Sequence, residues 1–327
     1  MDIDYAPDML DELVRMEMER REKEGDLGLT KEYHKLRESL YNLPDDDDDR
    51  EEGFEEVDRK VFATLGLGSG IEEILEEFPL IPEKIGLMEI RKAYNREEES
   101  VNISNRHLET DQKATIIRLR PQCFFNPNGF VNVIRHEFMH LNDILDEEFG
   151  YNTRRFGKNP SEDAFIRDRY RVMWDIYIEG RLAREGRDAT DMGRDGCWKE
   201  FNLLYVKLPE EDRKTIFETL WNREKMTHSG IAELASDPYK LLQSADISTK
   251  EGDAETKKKV ALPGSPCPLC KFPTYHPVHD FSPEALEKIK KDFPKWEEDW
   301  ACERCMDLYN LKPFERQEDF TPMRSQV

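Results

Sequence analysis

Apolar residues recur at steps of three and four along several stretches of this chain, and that spacing predicts amphipathic helices. The clearest stretch is 129–150, which follows the turn-forming sequence Asn126-Pro127-Asn128-Gly129 and ends at Gly150, a residue suited to the position just after a helix. Its apolar positions are Val131, Ile134, Phe138, Leu141 and Leu145. We predict one long helix over 129–150.

A second long helix is predicted over 161–186. Ser161 is a typical N-cap residue, and Glu162 and Asp163 place negative charge in the first turn, where the helix dipole favours it. The apolar face of this stretch consists of Phe165, Tyr170, Met173, Trp174, Tyr177, Ile178 and Leu182. Glu179 lies beside that face, and we expect its carboxylate to be paired or metal-bound because burying it alone is costly.

Shorter periodic segments predict further helices over 8–23, 29–41, 71–78, 209–225 and 229–235. Residues 114–120 alternate and are rich in β-branched side chains, which predicts a strand. The expected fold class is therefore α+β, mostly helical, with a small sheet.

Changes in composition along the chain predict its domains. The charged run at 44–58 contains five consecutive Asp residues and is typical of a solvated linker. We predict an acidic helical segment with this Asp-rich linker at 1–58, a main domain at 59–243, a charged linker at 244–265, a small cysteine-containing module at 266–313 and a tail at 314–327.

Charge and hydropathy limit the partners. The chain has 327 residues and a net charge of −22, and this field repels phosphate backbones, so nucleic acid is not expected as the main partner. No apolar run approaches the roughly 18 residues of a membrane-spanning helix, and no membrane partner is expected. The start of the chain is acidic and lacks the apolar core of a signal peptide, which favours a cytoplasmic location.

The first predicted long helix carries the sequence His136-Glu137-Phe138-Met139-His140. Residues four apart on a helix differ by about 40° and about 6 Å, so His136 and His140 can reach one metal ion. Glu137 points about 100° away, where it can take a proton from a metal-bound water. This H-E-x-x-H arrangement predicts a catalytic zinc site with Glu137 as general base.

A catalytic zinc ion needs three protein ligands and a water. Glu179 on the second helix is our first choice, because the short connection at 151–160 allows the two helices to pair. Asp143, which shares the ligand face, Asp146, which has the third-ligand spacing of a metzincin-like pattern, and the distant His228 are alternatives. Asp143 is expected to support a ligand rather than bind, as is Asp175, one turn before Glu179.

The sequences His136-Glu137-Phe138-Met139-His140 and Ile178-Glu179-Gly180 resemble those of the gluzincin-type zinc metallopeptidases over about residues 110–190. The resemblance implies a zincin-like catalytic domain that hydrolyses peptide or protein substrates. Those enzymes place an edge strand beside the active-site helix, and 115–120 is our candidate, although a position inside the sheet is equally compatible with its sequence. The chain departs from the best-known members at Ala183, where they have an acid.

The group that stabilises the developing oxyanion in such an enzyme is usually a Tyr, His or Arg. Tyr151, Tyr177 and His228 are the candidates here. The sequence does not decide among them.

The module at 266–313 contains two Cys-x-x-Cys pairs, Cys267/Cys270 and Cys302/Cys305. Four thiolates so arranged predict a closed tetrahedral site for a second, structural zinc ion. The module resembles zinc-ribbon and treble-clef modules, and its apolar residues could dock on a protein partner. A helix is predicted from Ser282 within it.

Two other functions remain open from the sequence. The chain could be a non-catalytic, zinc-stabilised interaction or regulatory protein. Its combination of an H-E-x-x-H helix and a four-cysteine module also resembles the SprT-type proteases, which act on nucleic-acid-bound proteins, although the net charge opposes that alternative. The intact Glu137 favours a peptidase, since a purely structural site needs no base.

Overall fold

A computed structural model describes residues 1–44, 48–104, 108, 111–187, 193–206, 208–247, 265–274, 277–296 and 300–310. These residues are mostly helical, with a small four-stranded sheet. The chain forms two compact units: the first comprises 1–154, 173–199 and 220–231, and the second comprises 155–172, 200–219 and 232–327. Among the described residues, no helix is both long enough and apolar enough to cross a membrane.

The first 145 residues build the sheet and the helices that cover it. In chain order the elements are β1 (Asp2–Tyr5), α1 (Pro7–Glu24), α2 (Gly28–Glu38), α3 (Asp48–Leu65), α4 (Ser69–Leu75), α5 (Leu80–Lys84), β2 (Ile85–Lys92), β3 (Ser100–Ser104), β4 (Lys113–Leu119) and α6 (Pro127–Leu145). The buried side chains of α1, β2, β4 and α6 form much of the core of this unit.

The sheet has the strand order β1-β2-β4-β3. β1, β2 and β4 are parallel, whereas β3 is antiparallel to β4 and forms one edge. The strand predicted at 114–120 is confirmed as β4, but it lies inside the sheet, where Ile117 and Leu119 are fully buried. Of the two edge strands, β3 is the one that packs near α6.

The N-terminal segment is part of this unit, because β1 pairs with β2. The linker predicted at 44–58 is also helical from Asp48 onward. Acidic residues near a helix N-terminus are favoured by the helix dipole, so a run of like charges does not exclude a helix there. Asp58 is only 2% exposed and accepts hydrogen bonds from Tyr33 and Arg37, so this end of the predicted linker belongs to the core.

The long helix predicted over 129–150 is confirmed with different ends: α6 runs from Pro127 to Leu145. The Asn126 side chain accepts a hydrogen bond from the backbone N–H of Gly129, which caps the start. The helix ends before Gly150 because the next residues form a separate turn, in which the Asp146 side chain accepts a hydrogen bond from the Glu148 N–H.

The remaining helices are α7 (Pro160–Arg184), α8 (Gly193–Leu204), α9 (Glu210–Trp221), α10 (His228–Ser236) and α11 (Pro238–Ser244). α7 is the second predicted long helix; it begins at Pro160, and the Asn159 side chain before it accepts a hydrogen bond from the Glu162 N–H. Gly186 has φ +71°, and this left-handed conformation after the last turn suits glycine. Residues 173–184 of α7 belong to the first unit.

The cysteine-containing module consists of β5 (Ser265–Pro266), β6 (Pro273–Thr274), β7 (Pro277–Val278), α12 (Pro283–Asp292), β8 (Ala301–Cys302) and α13 (Glu303–Asn310). β5 pairs with β6 and β7 with β8, in each case antiparallel. The helix predicted from Ser282 is α12, and the Ser282 hydroxyl caps it by accepting from the Ala285 N–H. Most of the predicted linker at 244–265 and all of the tail at 314–327 lie outside the described residues.

Candidate metal centres

α6 brings the two histidines of the H-E-x-x-H motif together. His136 and His140 lie one turn apart, and their Nε2 atoms are 3.1 Å from each other. Both imidazoles are largely buried, with side chains 11% and 12% exposed. The predicted pairing of the two rings on one helix face is therefore present in the fold.

Asp175 on α7 adds a third ligand atom to this pair. Its Oδ1 atom lies 3.1 Å from His140 Nε2 and 3.8 Å from His136 Nε2. Tetrahedral zinc with bonds of about 2.0–2.1 Å to nitrogen and oxygen separates its ligand atoms by about 3.3–3.4 Å. The distances within this trio bracket that value, so His136, His140 and Asp175 could bind one metal ion.

Glu179, our first choice as the third ligand, contacts the other nitrogen of the His136 ring. Its Oε1 atom is 2.7 Å from His136 Nδ1, and the residue is fully buried. A hydrogen bond donated by Nδ1 to a carboxylate fixes the tautomer and leaves the Nε2 lone pair for a metal ion. In this geometry Asp175 lies close to both Nε2 atoms, whereas Glu179 contacts Nδ1 of His136.

The two carboxylates of this cluster stabilise positive charge at the imidazoles. Burial by itself lowers the pKa of His136, but the carboxylates of Asp175 and Glu179 outweigh it and raise that pKa to about 10. For Asp175, burial opposes the ionised form, and the two imidazoles overcome it and hold the pKa below its ordinary value. Two carboxylates therefore stabilise positive charge at the imidazoles, and a divalent ion would supply such charge.

Glu137 lies on the same turn of α6 and is 7% exposed. Burial raises the pKa of its carboxyl; the two imidazoles act against that shift, while Asp175 and Glu99 add to it. A carboxylate with a raised pKa suits a group that must accept and then release a proton. Glu99 immediately precedes the edge strand β3, and its carboxylate accepts a hydrogen bond from the Arg120 side chain.

The other predicted ligand candidates have different neighbours. The Asp143 carboxylate accepts hydrogen bonds from Trp174 Nε1 at 2.8 Å and from Arg181 Nη2 at 2.6 Å. Asp146 lies after the end of α6, in the turn described above. Neither Asp143 nor Asp146 belongs to the metal-ligating trio found among the described residues, nor does His228.

The oxyanion candidates lie in or near an aromatic layer beside His140. Trp174 is in edge contact with His140, with ring centroids 4.3 Å apart, and stacks on Tyr151 at 5.7 Å. The ring of Tyr151 in turn contacts that of His228, at 5.2 Å. The Tyr177 hydroxyl accepts a hydrogen bond from the backbone N–H of Met226. The described contacts single out none of the three as an oxyanion donor.

The sequence analysis missed the roles of Trp174, Arg181 and Gly180. Trp174 was counted only as part of an apolar face, although a buried indole N–H usually finds an acceptor, and this one does. Gly180 packs closely on the backbone of Trp221, and a Cβ atom there would lie 2.1 Å from its carbonyl oxygen. The sequence offered one signal for this close contact, because Gly180 directly follows Glu179, an acid beside the apolar face of the helix.

The four cysteines of the C-terminal module form a second centre. Cys267 Sγ lies 3.9 Å from Cys305 Sγ, and Cys270 Sγ lies 3.7 Å from Cys302 Sγ. Bonds of about 2.3 Å in tetrahedral zinc–sulfur sites separate the sulfur atoms by about 3.8 Å. The four thiols are therefore spaced so that they could bind one metal ion.

Backbone N–H groups donate to two of the cysteine sulfur atoms, and at Cys267 they favour the thiolate. The N–H of Cys302 donates to Cys267 Sγ at 3.3 Å, and the N–H of Cys305 donates to Cys302 Sγ at 3.4 Å. Burial opposes the ionisation of Cys267, but backbone N–H groups from Cys270, Cys302 and Leu269 lower its pKa. Thiolates are the form in which cysteine binds metal ions.

Comparisons with protein-family models, curated proteins and solved structures found no match for this chain.

Proposed function

We propose that the protein is a zinc-dependent peptidase whose catalytic ion is bound by His136, His140 and Asp175. The observation that carries the proposal is the convergence of their three ligand atoms at near-tetrahedral spacing, with Glu137 on the same turn of α6. Two imidazoles and one carboxylate are a ligand set that zinc accepts, and three protein ligands leave a fourth position for water. A purely structural site is usually closed by a fourth protein ligand.

A zinc ion bound there would lower the pKa of a water molecule to about 7 and polarise a substrate carbonyl. With such an ion bound, Glu137 would be the residue that accepts a proton from the attacking water. Glu137 then delivers the same proton to the leaving amine as the C–N bond breaks. Its buried carboxyl, with a raised pKa, suits both steps.

Glu179 has a positioning role in this proposal. Its bond to His136 Nδ1 holds the imidazole with Nε2 towards the ion and increases the basicity of that ligand. The edge strand β3 lies near α6, and an extended peptide substrate can add to a sheet edge as a further strand.

The four-cysteine centre is proposed to hold a structural zinc ion. The module has a small core made mainly of Leu269, Ile289, Ala301 and the cysteines themselves, and a core of this size is a weak basis for folding without metal. All six cysteines of the chain, Cys123 and Cys197 included, are free thiols. That state suits a reducing compartment such as the cytoplasm.

The test combines metal content with a variant that removes only the base. Glu137→Gln keeps the size of the side chain and the three ligands, but it cannot accept a proton. We expect two zinc ions per chain in both proteins, and cleavage of a peptide library that falls by about 10²–10⁴-fold in the variant. Glu147→Gln, at an exposed residue beyond α6, is the matched control and should cleave like the wild type.

Two results would contradict the proposal. Zinc at the four cysteines alone would exclude the catalytic centre. Two zinc ions without any cleavage, in both the wild type and Glu137→Gln, would favour a non-catalytic, zinc-stabilised interaction protein.

A further inference from the structure

Asp143 lies on α6 three residues beyond His140 and does not contact the ligand atoms. It is 2% exposed, and its Oδ2 atom accepts hydrogen bonds from both Trp174 Nε1 and Arg181 Nη2. The Arg181 guanidinium pairs with the same carboxylate oxygen at 2.6 Å, so two donors hold the Asp143 side chain in place. Asp143 therefore fixes one end of the Trp174 ring.

The rest of the Trp174 ring is held by aromatic neighbours. It stacks on Phe149 with centroids 5.3 Å apart and planes at 19°, and on Tyr151 at 5.7 Å and 28°. His140 meets it at 4.3 Å with the ring planes at 87°. An indole held in this way limits the rotation of the His140 imidazole about its side-chain bonds.

We propose that Asp143 is a positioning residue of the metal centre, which acts on the ligand His140 through the indole of Trp174. The inference rests on the proposed function in taking His140 as a metal ligand, but it does not require peptidase activity. A ligand whose ring is already oriented loses less freedom when the ion binds. Partners that orient metal-binding histidines are worth about 10–100-fold in metal affinity.

The competing explanation is that Asp143, Trp174 and Arg181 merely pack the helix pair. A double-mutant cycle separates the two, because residues that act through one another give effects that do not add. Asp143→Ala removes the acceptor, and Trp174→Phe keeps an aromatic ring but removes the N–H that Asp143 binds. The metal dissociation constant of the histidine site is measured by competition with a chromophoric chelator, with zinc as the probe.

We expect each single variant to weaken zinc binding at the histidine site by at least about tenfold, and the double variant to be no weaker than Asp143→Ala. The cobalt spectrum of the histidine site should change in both single variants, because altered ligand angles change its d–d bands. The four-cysteine site of the same chain, recognised by its thiolate-to-cobalt absorption, is the internal reference and should keep its metal. Asp168→Ala, which removes an exposed acid of α7, is the control for Asp143→Ala and should leave both sites unchanged.

Unchanged affinity in Asp143→Ala, or effects of the two substitutions that add fully, would overturn the proposal. If Asp143→Ala does not fold, Trp174→Phe decides alone, and wild-type affinity and spectrum in that variant overturn it. If the wild-type chain binds zinc at the histidines but cleaves no peptide, the proposed function is refuted. The positioning role of Asp143 is then still decided by the double-mutant cycle. A chain that binds no zinc at the histidines refutes both.

Discussion

The different positions of Asp175 and Glu179 around the histidines lead to a prediction that separates a ligand from a residue that orients a ligand. Asp175→Asn replaces an anionic oxygen that lies 3.1 Å from His140 Nε2 by a neutral amide. Glu179→Gln removes the charge beside His136 Nδ1 but keeps an oxygen that can accept its hydrogen bond. The two substitutions each change one charge on the same helix, one turn apart.

The expected magnitudes differ because, in the proposed site, only Asp175 would touch the ion. Loss of a ligand at Asp175 should weaken zinc binding by more than about 100-fold, which is more than about 2.7 kcal/mol. Loss of charge at Glu179 should cost about tenfold, or about 1.4 kcal/mol, since the hydrogen bond that sets the His136 tautomer can persist. Asp168→Asn, at an exposed acid of α7, should cost nothing measurable.

The assay is a chelator competition that follows zinc release, with total metal per chain measured in parallel. The zinc at the four cysteines serves as an internal standard in every variant. The reasoning is refuted if Glu179→Gln loses the histidine-site zinc while Asp175→Asn keeps it, because Glu179 would then be the ligand. Equal losses in the two variants would also refute it.

Three further outcomes follow from particular contacts. Gly180→Ala should lower the free energy of unfolding by about 1–3 kcal/mol in a denaturant titration, because its Cβ would lie 2.1 Å from the Trp221 carbonyl oxygen, whereas Gly28→Ala, with no atom nearer than 3.9 Å, should have little effect. Cys305→Ser should remove one zinc per chain and expose the module to proteolysis while the histidine-site zinc remains; loss of both metals would contradict two independent centres. Asp163 accepts from Arg167 and from two backbone N–H groups, which lower its pKa from 3.8 to about 2, so its stabilising contribution is present above pH 3.8 and is lost as the pH falls towards 2. The stability difference between the wild type and Asp163→Asn should therefore shrink over that interval, and a constant difference would contradict it.

Local sequence patterns predicted the parts of the site that depend on a single helix. The apolar spacing around His136 and His140 predicted α6, and the four-residue step between the two rings placed both on one face, as the 3.1 Å contact of their Nε2 atoms shows. The two Cys-x-x-Cys pairs likewise predicted a four-cysteine cluster, because thiols three residues apart can reach the same ion. In such patterns, the residues that determine the local geometry are only a few positions apart in the sequence.

The errors arose where distant segments meet. Nothing in residues 2–5 indicates that they pair with residues 87–90, so the sequence analysis assigned 1–58 to a separate segment and predicted no strand in it. The charged run at 44–58 was predicted to be a linker because like-charged runs are usually solvated. The pairing of Asp58 with Arg37, 21 residues earlier, is not visible within that run. The edge position of β3 also depends on a pairing order that its own five residues do not specify.

The choice between Asp175 and Glu179 is a question of register between α6 and α7. The contacts run in opposite directions along the two helices: His136 meets Glu179, and His140 meets Asp175. Because both pairs are four residues apart, a slip of one turn would still place an acid near a histidine, and sequence spacing cannot distinguish the alternatives.

Side-chain length explains why the observed register can hold an ion. The shorter Asp175 brings its oxygen level with both Nε2 atoms, whereas the longer Glu179 reaches along the far side of the His136 ring to Nδ1. Exchanging the two side chains, as Asp175→Glu with Glu179→Asp, would keep the charge and the composition but should abolish zinc binding at the histidines. If the exchanged variant bound zinc as tightly as the wild type, register and side-chain length would not determine the ligand set.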